Sequence, residues 1–319
     1  MQIVPARDAV LEHILDETWR IWSDGLTRKA YASYNAAQMK TPWGRQFLDR
    51  VALVDGERVL STAKRYTLRA HLDGAPIRVL GIGAVFTPPA LRSRGSAAVL
   101  IERLLEDARR EGVDCALLFS EIGASYYEQF GFVAIPRDVV WLRAIDKPGA
   151  PAILVRTGEE RDIAAVANLL RAASASARFA LDVDPDVVRY SLSKKRLLAG
   201  LSPAGWRSVE FYVAEEGASA VAFVLLTSSR SGMTLEACGD RDPSGARVGA
   251  MLQVLRARTP HERVPDMAAW LPPAFRPPQV TLVKQRPASE LMMIKPLRED
   301  LPVRDLRADD IVYWHGDAF

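Results

Sequence analysis

The stretch Val85-Phe86-Thr87-Pro88-Pro89-Ala90-Leu91-Arg92-Ser93-Arg94-Gly95-Ser96-Ala97 decides how the rest of the chain is read. Val85 and Phe86 close an apolar run that starts at Ile77. The two prolines end it, because proline cannot donate to a strand ladder. From Gly95 onward, Ala98, Ile101, Leu104, Leu105 and Ala108 recur at helical spacing. The order is therefore strand, basic turn, helix N-terminus. Such a terminus offers unpaired N–H groups and the positive end of the helix dipole. Gly95 and Ala97 keep side chains clear of it, while Arg92 and Arg94 add charge. In physical terms this is a cradle for a pyrophosphate. The spacing fits neither a P-loop nor a dinucleotide fingerprint; Gly81-Ile82-Gly83 lies inside a strand and leads to no helix.

Working downstream, Gly112 stops the helix, and Val113 to Ser120 reads as a central strand covered on both faces. A short helix over Ser125 to Phe130 follows, within Tyr126-Tyr127-Glu128-Gln129-Phe130-Gly131-Phe132, and then a strand-rich stretch to Ile145. Upstream, Leu11, Ile14, Leu15, Thr18 and Trp22 predict one face of a first helix. A second helix spans Arg28 to Met39, broken by Thr41-Pro42-Trp43-Gly44. Runs at Phe47 to Val54, Arg58 to Ala70 and Ile77 to Phe86 are joined by Asp55-Gly56 and Asp73-Gly74, which predicts an antiparallel meander. Trp19 and Trp22 read as core residues.

These motifs together resemble the GNAT superfamily of acetyl-coenzyme A-dependent N-acetyltransferases. Pro89, Arg92, Gly95 and Ala97 match that family's Pro-x-x-Arg/Gln-x-x-Gly-x-Gly/Ala, and Tyr127, Glu128, Gly131 and Phe132 match its Tyr-Glu-x-x-Gly-Phe. The match covers Met1 to Ile145. The resemblance implies that backbone groups of Val85, Phe86 and Thr87 pair with the pantetheine arm. It implies that N–H groups of Arg92, Ser93, Arg94, Gly95, Ser96 and Ala97 hold the pyrophosphate. An N–H near Val85 would polarise the thioester carbonyl. Tyr127, better spaced from Gly131 than Tyr126, would protonate the leaving thiolate. A neutral amine would attack directly, so a base is needed; Glu121 is one candidate. The terminal carboxylate of Phe319 is another, by resemblance to the aminoglycoside-acetylating "enhanced intracellular survival" branch, whose chain end reaches the active site. With two such domains in 319 residues, that branch's sterol-carrier-like domain is not expected within this sequence.

The chain has 319 residues, a prior of roughly two domains at about 150 residues each. Lys147 to Pro151 reads as the linker, after which the order of elements restarts: strand, helices, three strands, helix. The expected layout is a catalytic domain over 1–146, a degenerate GNAT-like domain over 151–297 and a tail over 298–319 docking back. Each domain is expected as an α/β (α+β) fold, a mixed and mostly antiparallel twisted sheet flanked by helices. Val280 to Lys284 and Glu290 to Ile294 read as a closing hairpin. Where the second half should carry its phosphate cradle stands Gly239-Asp240-Arg241-Asp242-Pro243-Ser244-Gly245. Carboxylates there repel a pyrophosphate but cap a helix well, so this domain is expected to wall the substrate cleft and not to bind coenzyme A.

Composition narrows the classes further. With 49% apolar and 25% charged residues and a net charge of +3, the chain is globular and gives no nucleic-acid signature. No apolar stretch approaches a membrane span and no leader pattern opens the chain. Cys115 and Cys238 lie in apolar runs as free thiols, which suits the cytoplasm. His13, His71, His261 and His315 have no metal-ligand spacing. The expected partners are acetyl-CoA and a small amine: an amino acid, a polyamine or an aminoglycoside. The alternative is a non-catalytic acyl-CoA-binding sensor or scaffold.

Overall fold

A computed structural model describes residues 1–258, 265–272 and 275–314. The chain forms two compact units. One is Met1–Pro136 with Ser289–Arg307, and the other is Arg137–Ala288 with the stretch that starts at Ala308. Both are mixed α/β folds with mostly antiparallel, twisted sheets flanked by helices.

In the first unit the strands are β1 (Gln2–Pro5), β2 (Leu48–Asp55), β3 (Arg58–Leu72), β4 (Ala75–Phe86), β5 (Cys115–Ser120), β6 (Val133–Ile135) and one strand from far along the chain, Leu291–Pro296. The order is β1-β2-β3-β4-β5, then Leu291–Pro296, then β6. The β2-β3-β4 meander turns at the Asp-Gly pairs, with Gly56 at φ +58° and Gly74 at φ +80°. Side chains alternate across this sheet. Val51, Leu53, Ala63, Leu80 and Ile82 pack with Leu100, Ile101, Leu104 and Leu105 of helix α4 (Ser96–Arg110). On another face Ala52, Val54 and Val59 pack with Ile14 of α1 (Asp8–Trp22). Next come α2 (Arg28–Lys40) and α3 (Pro42–Phe47). Thr41-Pro42 stops α2 and starts α3: the Thr41 hydroxyl accepts from Gly44 N–H, and proline sits at the first helical position.

The second unit orders its strands as β8 (Leu154–Thr157), β10 (Ser208–Glu216), β11 (Ser219–Ser229), β12 (Gly232–Asp240), β13 (Met267–Ala269), β7 (Asp138–Ala144) and β14 (Val280–Pro287). Helices α6 (Ile163–Ser174) and α8 (Ala246–Ala257) contribute to its apolar cluster. α7 (Pro185–Leu201) starts at an Asp184 cap. β9 (Phe179–Leu181) pairs in parallel with β16 (Ile311–Val312). Tyr313 and Trp314 are buried; Arg137 donates to the Tyr313 carbonyl at 2.8 Å, and Trp314 joins the apolar cluster.

The strand Leu291–Pro296, now β15, corrects the expected closing hairpin. β14 pairs with β7, whereas β15 lies between β5 and β6. Likewise the stretch from Phe132 to Ile145 is not continuous. Pro136 ends β6, and the chain continues as β7 in the other sheet. Each sheet thus takes its next-to-last strand from the other half of the sequence.

Candidate active site

The central feature of the first unit is an irregularity in β4. Thr62 faces Phe86 and Lys64 faces Gly83, so β4 holds one residue more than β3 between these pairs. Ala84 takes up the excess at φ +47°, a left-handed conformation uncommon for a residue with a Cβ. On its other edge β4 pairs in parallel with β5 from Val79–Cys115 to Ile82–Leu118, and the pairing stops there. β5 runs on to Ser120, held by β15. The strands therefore part beyond Ile82 and Leu118. Val85, Phe86 and Thr87 lie on the parted segment. Ser61 Oγ donates to the Phe86 carbonyl at 2.9 Å, and Arg92 Nε donates to the Thr87 carbonyl at 3.2 Å. Phe86 is buried with its ring 6.1 Å from Trp22.

The turn that follows has two left-handed residues, Ser93 at φ +60° and Gly95 at φ +78°. Arg92, Ser93, Arg94 and Gly95 are exposed; Ser96 and Ala97 are half-buried. No side chain caps α4, and its first turn carries no acid. Its leading N–H groups thus lack an internal partner. A Cβ built on Gly95 meets nothing within 4 Å. Open space, uncapped donors and two arginines fit a pyrophosphate.

The corresponding place in the second unit is filled from within. Asp240, at the end of β12, has a fully buried side chain. Its carboxylate accepts from the backbone N–H of Arg247 at 2.7 Å, of Val248 at 3.2 Å and of Asp242 at 2.9 Å. Arg247 Nη1 adds a contact at 3.3 Å. Gly245 repeats the left-handed turn at φ +69°, yet a Cβ there would lie 2.8 Å from the Phe275 ring. The helix terminus that could hold a phosphate already holds a carboxylate under an aromatic cover.

Tyr127 lies in α5 (Ser125–Glu128), buried in the same apolar cluster as Leu91, Leu100 and Phe132. Its ring meets Tyr126 and Phe132 edge-on at 5.1 and 6.2 Å. Burial, with a smaller push from Tyr126, raises its phenol to about 12. Its hydroxyl makes no hydrogen bond among the described residues. Glu121 is exposed at the turn after β5. Phe319 and its carboxylate lie outside the described residues, as do His315 and His261. Cys115 and Cys238 are free and buried. Burial pushes the Cys115 thiol up to about 12. Among the described residues no helix is long and apolar enough to cross a membrane.

The bulge at Ala84 is the feature that sequence reasoning missed. Its signal was present: Gly81, Gly83 and Ala84 are small residues inside an otherwise branched apolar strand, where glycine marks bulges and close backbone approach.

Residues 11–135 match the family model for an acetyltransferase (GNAT) domain. That stretch is thus a GNAT acetyltransferase domain, and the chain is an acyltransferase. An acyl-CoA is the cosubstrate such a domain takes. Among solved structures, a GCN5-related N-acetyltransferase from Anabaena variabilis ATCC 29413 is similar with a TM-score of 0.69 at 11% identity, over 93% of this chain and 73% of that one. A GCN5-related N-acetyltransferase from Kribbella flavida gives 0.66 at 17%, over 92% and 70%. Eis1 from Mycobacterium abscessus gives 0.56 at 14%, over 93% and 74%. At these identities the likeness speaks to fold. No curated protein matches the chain in sequence.

Proposed function

We propose that the protein is an N-acetyltransferase that moves the acetyl group of acetyl-CoA to a primary amine of a small molecule by direct attack. The acceptor classes are amino acids, polyamines and aminoglycosides. The observation that carries this reading is the contrast between the two units: an open, uncapped, basic cradle after the β4 bulge, and a counterpart filled by Asp240 and Phe275. The first unit is thus the catalytic one. Buried free thiols at Cys115 and Cys238 support the cytoplasm as its compartment.

In this reading the N–H groups from Arg92 to Ala97 bind the pyrophosphate, and the parted segment Val85–Thr87 aligns the pantetheine arm. A backbone N–H near Val85 stabilises the oxyanion that forms when the amine nitrogen attacks the thioester carbon. The carbon–sulfur bond then breaks. Tyr127 is positioned by burial to remain a phenol throughout the physiological range. A phenol at about 12 is a much weaker acid than a thiol, whose usual pKa is about 8.5. Tyr127 therefore donates a hydrogen bond to the leaving sulfur as charge develops. The proton that finally neutralises the thiolate is the one the nitrogen gives up. Glu121 and the Phe319 carboxylate are the proposed acceptors of that proton on its way.

The test is amine-dependent release of free thiol from acetyl-CoA across a panel of the three acceptor classes, with Tyr127→Phe as control. Release that depends on an amine and falls in the variant supports the enzyme. Acetyl-CoA binding with no release for any amine would replace it with a sensor.

A further inference from the structure

The second unit, whose α8 is filled at its start by Asp240, is open at the other end of that helix. A cavity of about 250 Å³ lies there between α8 and the sheet. A single water needs only about 10–15 Å³, so this space admits a small molecule. Val248, Met251 and Leu252 are buried against the sheet, whereas Leu255, near the helix end, is only partly buried. A straight helix on a twisted sheet parts from it toward one end, and the cavity occupies that wedge. Leu226, Met233, Leu252, Leu255 and Met267 form its apolar floor, with Met267 paired to Met233 in the sheet. Methionine side chains adapt their shape to what they meet. Arg258 and Pro265, both exposed, stand at the mouth.

Three charged side chains line the same space: Glu210, Arg256 and Arg258. Glu210 of β10 stands opposite Leu226 of β11, so it shares the face of that floor residue. Arg256 follows Leu252 by four residues and lies on the same stripe of α8. Arg258 is already engaged. Its Nη1 donates to Tyr212 Oη at 2.8 Å, and its guanidinium lies 5.0 Å from the centre of that ring. The side chains of Glu210 and Arg256 have no hydrogen-bond or ion-pair partner among the described residues. Two other arginines of this unit show the usual arrangement. Arg156 meets Asp162 at 2.7 Å and Glu215 at 2.8 Å, and Arg247 meets Glu216 at 2.7 Å.

The geometry points to a ligand site in the second unit for a small zwitterion with an apolar chain, an α-amino acid of the size of leucine or methionine. Glu210 takes its ammonium, Arg256 its carboxylate, and the leucine and methionine floor its chain. One unpaired anion and one unpaired cation complement both charges of such a ligand. A plain amine leaves Arg256 without a counter-ion, and a plain acid leaves Glu210 without one. A guanidinium can give a carboxylate two parallel N–H donors. The volume lies below the roughly 300–1,000 Å³ of drug-sized sites, which excludes a large amphiphile. This site is separate from the acyl transfer proposed for the first unit and does not depend on it.

The experiment titrates the full chain, without any acyl-CoA, with L-leucine, leucinamide and N-acetylleucine. The two analogues keep the chain and remove the charge of the carboxylate or of the ammonium. Wild type is expected to bind leucine at least tenfold more tightly than either analogue, as loss of one charge-assisted contact implies. Arg256→Gln is expected to bring the leucine-to-leucinamide ratio close to one, and Glu210→Gln to do the same for leucine against N-acetylleucine. A loss of structure weakens all three ligands together and does not move a ratio. Leucine held at an acceptor site in the first unit keeps both ratios in both variants. Leu255→Trp, which fills the cavity from its partly buried side, is expected to abolish leucine binding. No uptake of leucine by wild type at millimolar concentration, ratios unchanged in both charge variants, or full leucine affinity in Leu255→Trp overturns the inference.

Discussion

Tyr127 illustrates how burial sets a role. Its phenol sits among Tyr126, Phe130 and Phe132 and is raised from its usual 10.0 to about 12. A donor that stays protonated imposes no titration of its own on the rate below about pH 11. We expect Tyr127→Phe to lower kcat by about a hundredfold, the usual cost of removing one hydrogen-bond donor to developing charge, with little change in KM for acetyl-CoA. Steady-state rates from pH 6 to 10 check this: the wild-type profile should rise with loss of the amine's proton and show no descending limb. The same shift bears on stability. The folded pKa lies above the unfolded one, so the contribution is full below about pH 10 and is lost as pH climbs from about 10 to about 12. Cys115, raised to about 12, acts in the same sense. Urea midpoints at pH 8 and pH 10.5 should show lower stability at the higher pH, with a smaller drop in Tyr127→Phe.

At the scale of elements, two helix starts with the same left-handed glycine have opposite contents. Gly95 opens α4 onto empty space, so Gly95→Ala adds no clash but strains the turn by about 1 kcal/mol. We expect a several-fold weaker acetyl-CoA affinity and a small fall in Tm. Asp240→Ala is the reverse case. It removes the cap of α8 and leaves buried N–H groups unpaired, at a cost of about 2 kcal/mol. It should lower Tm by several degrees and leave acetyl-CoA affinity unchanged; thermal melts beside binding isotherms separate the two effects. Much of this level was legible. The Asp-Gly turns, the apolar stripe of α4 and the acids at 240 and 242 each carry a local signal. The Ala84 bulge was not read, because it shows only as one residue too many when two strands are laid side by side.

For the whole molecule, the exchange of β7 and β15 is what sequence order conceals. Element order suggests two consecutive domains, but each sheet is completed by a strand from the other half. Strand patterns do not encode a partner more than a hundred positions away; only the pairing reveals it. A chain cut after Asp146 keeps the catalytic motifs but loses β15 from between β5 and β6, exposing the edge of β5. We expect 1–146 alone to be insoluble or molten, and to recover native far-UV and near-UV dichroism only when co-expressed with the remainder.

The central claim is that one unit is built for coenzyme A and the other is closed to it. Calorimetric titration of the full chain with acetyl-CoA tests it most directly, with Arg92→Ala/Arg94→Ala and Asp240→Ala alongside. One site per chain, weakened at least tenfold by the arginine pair and unaffected at Asp240, is the predicted result. Two sites per chain, or affinity that follows Asp240 and ignores Arg92 and Arg94, would contradict it.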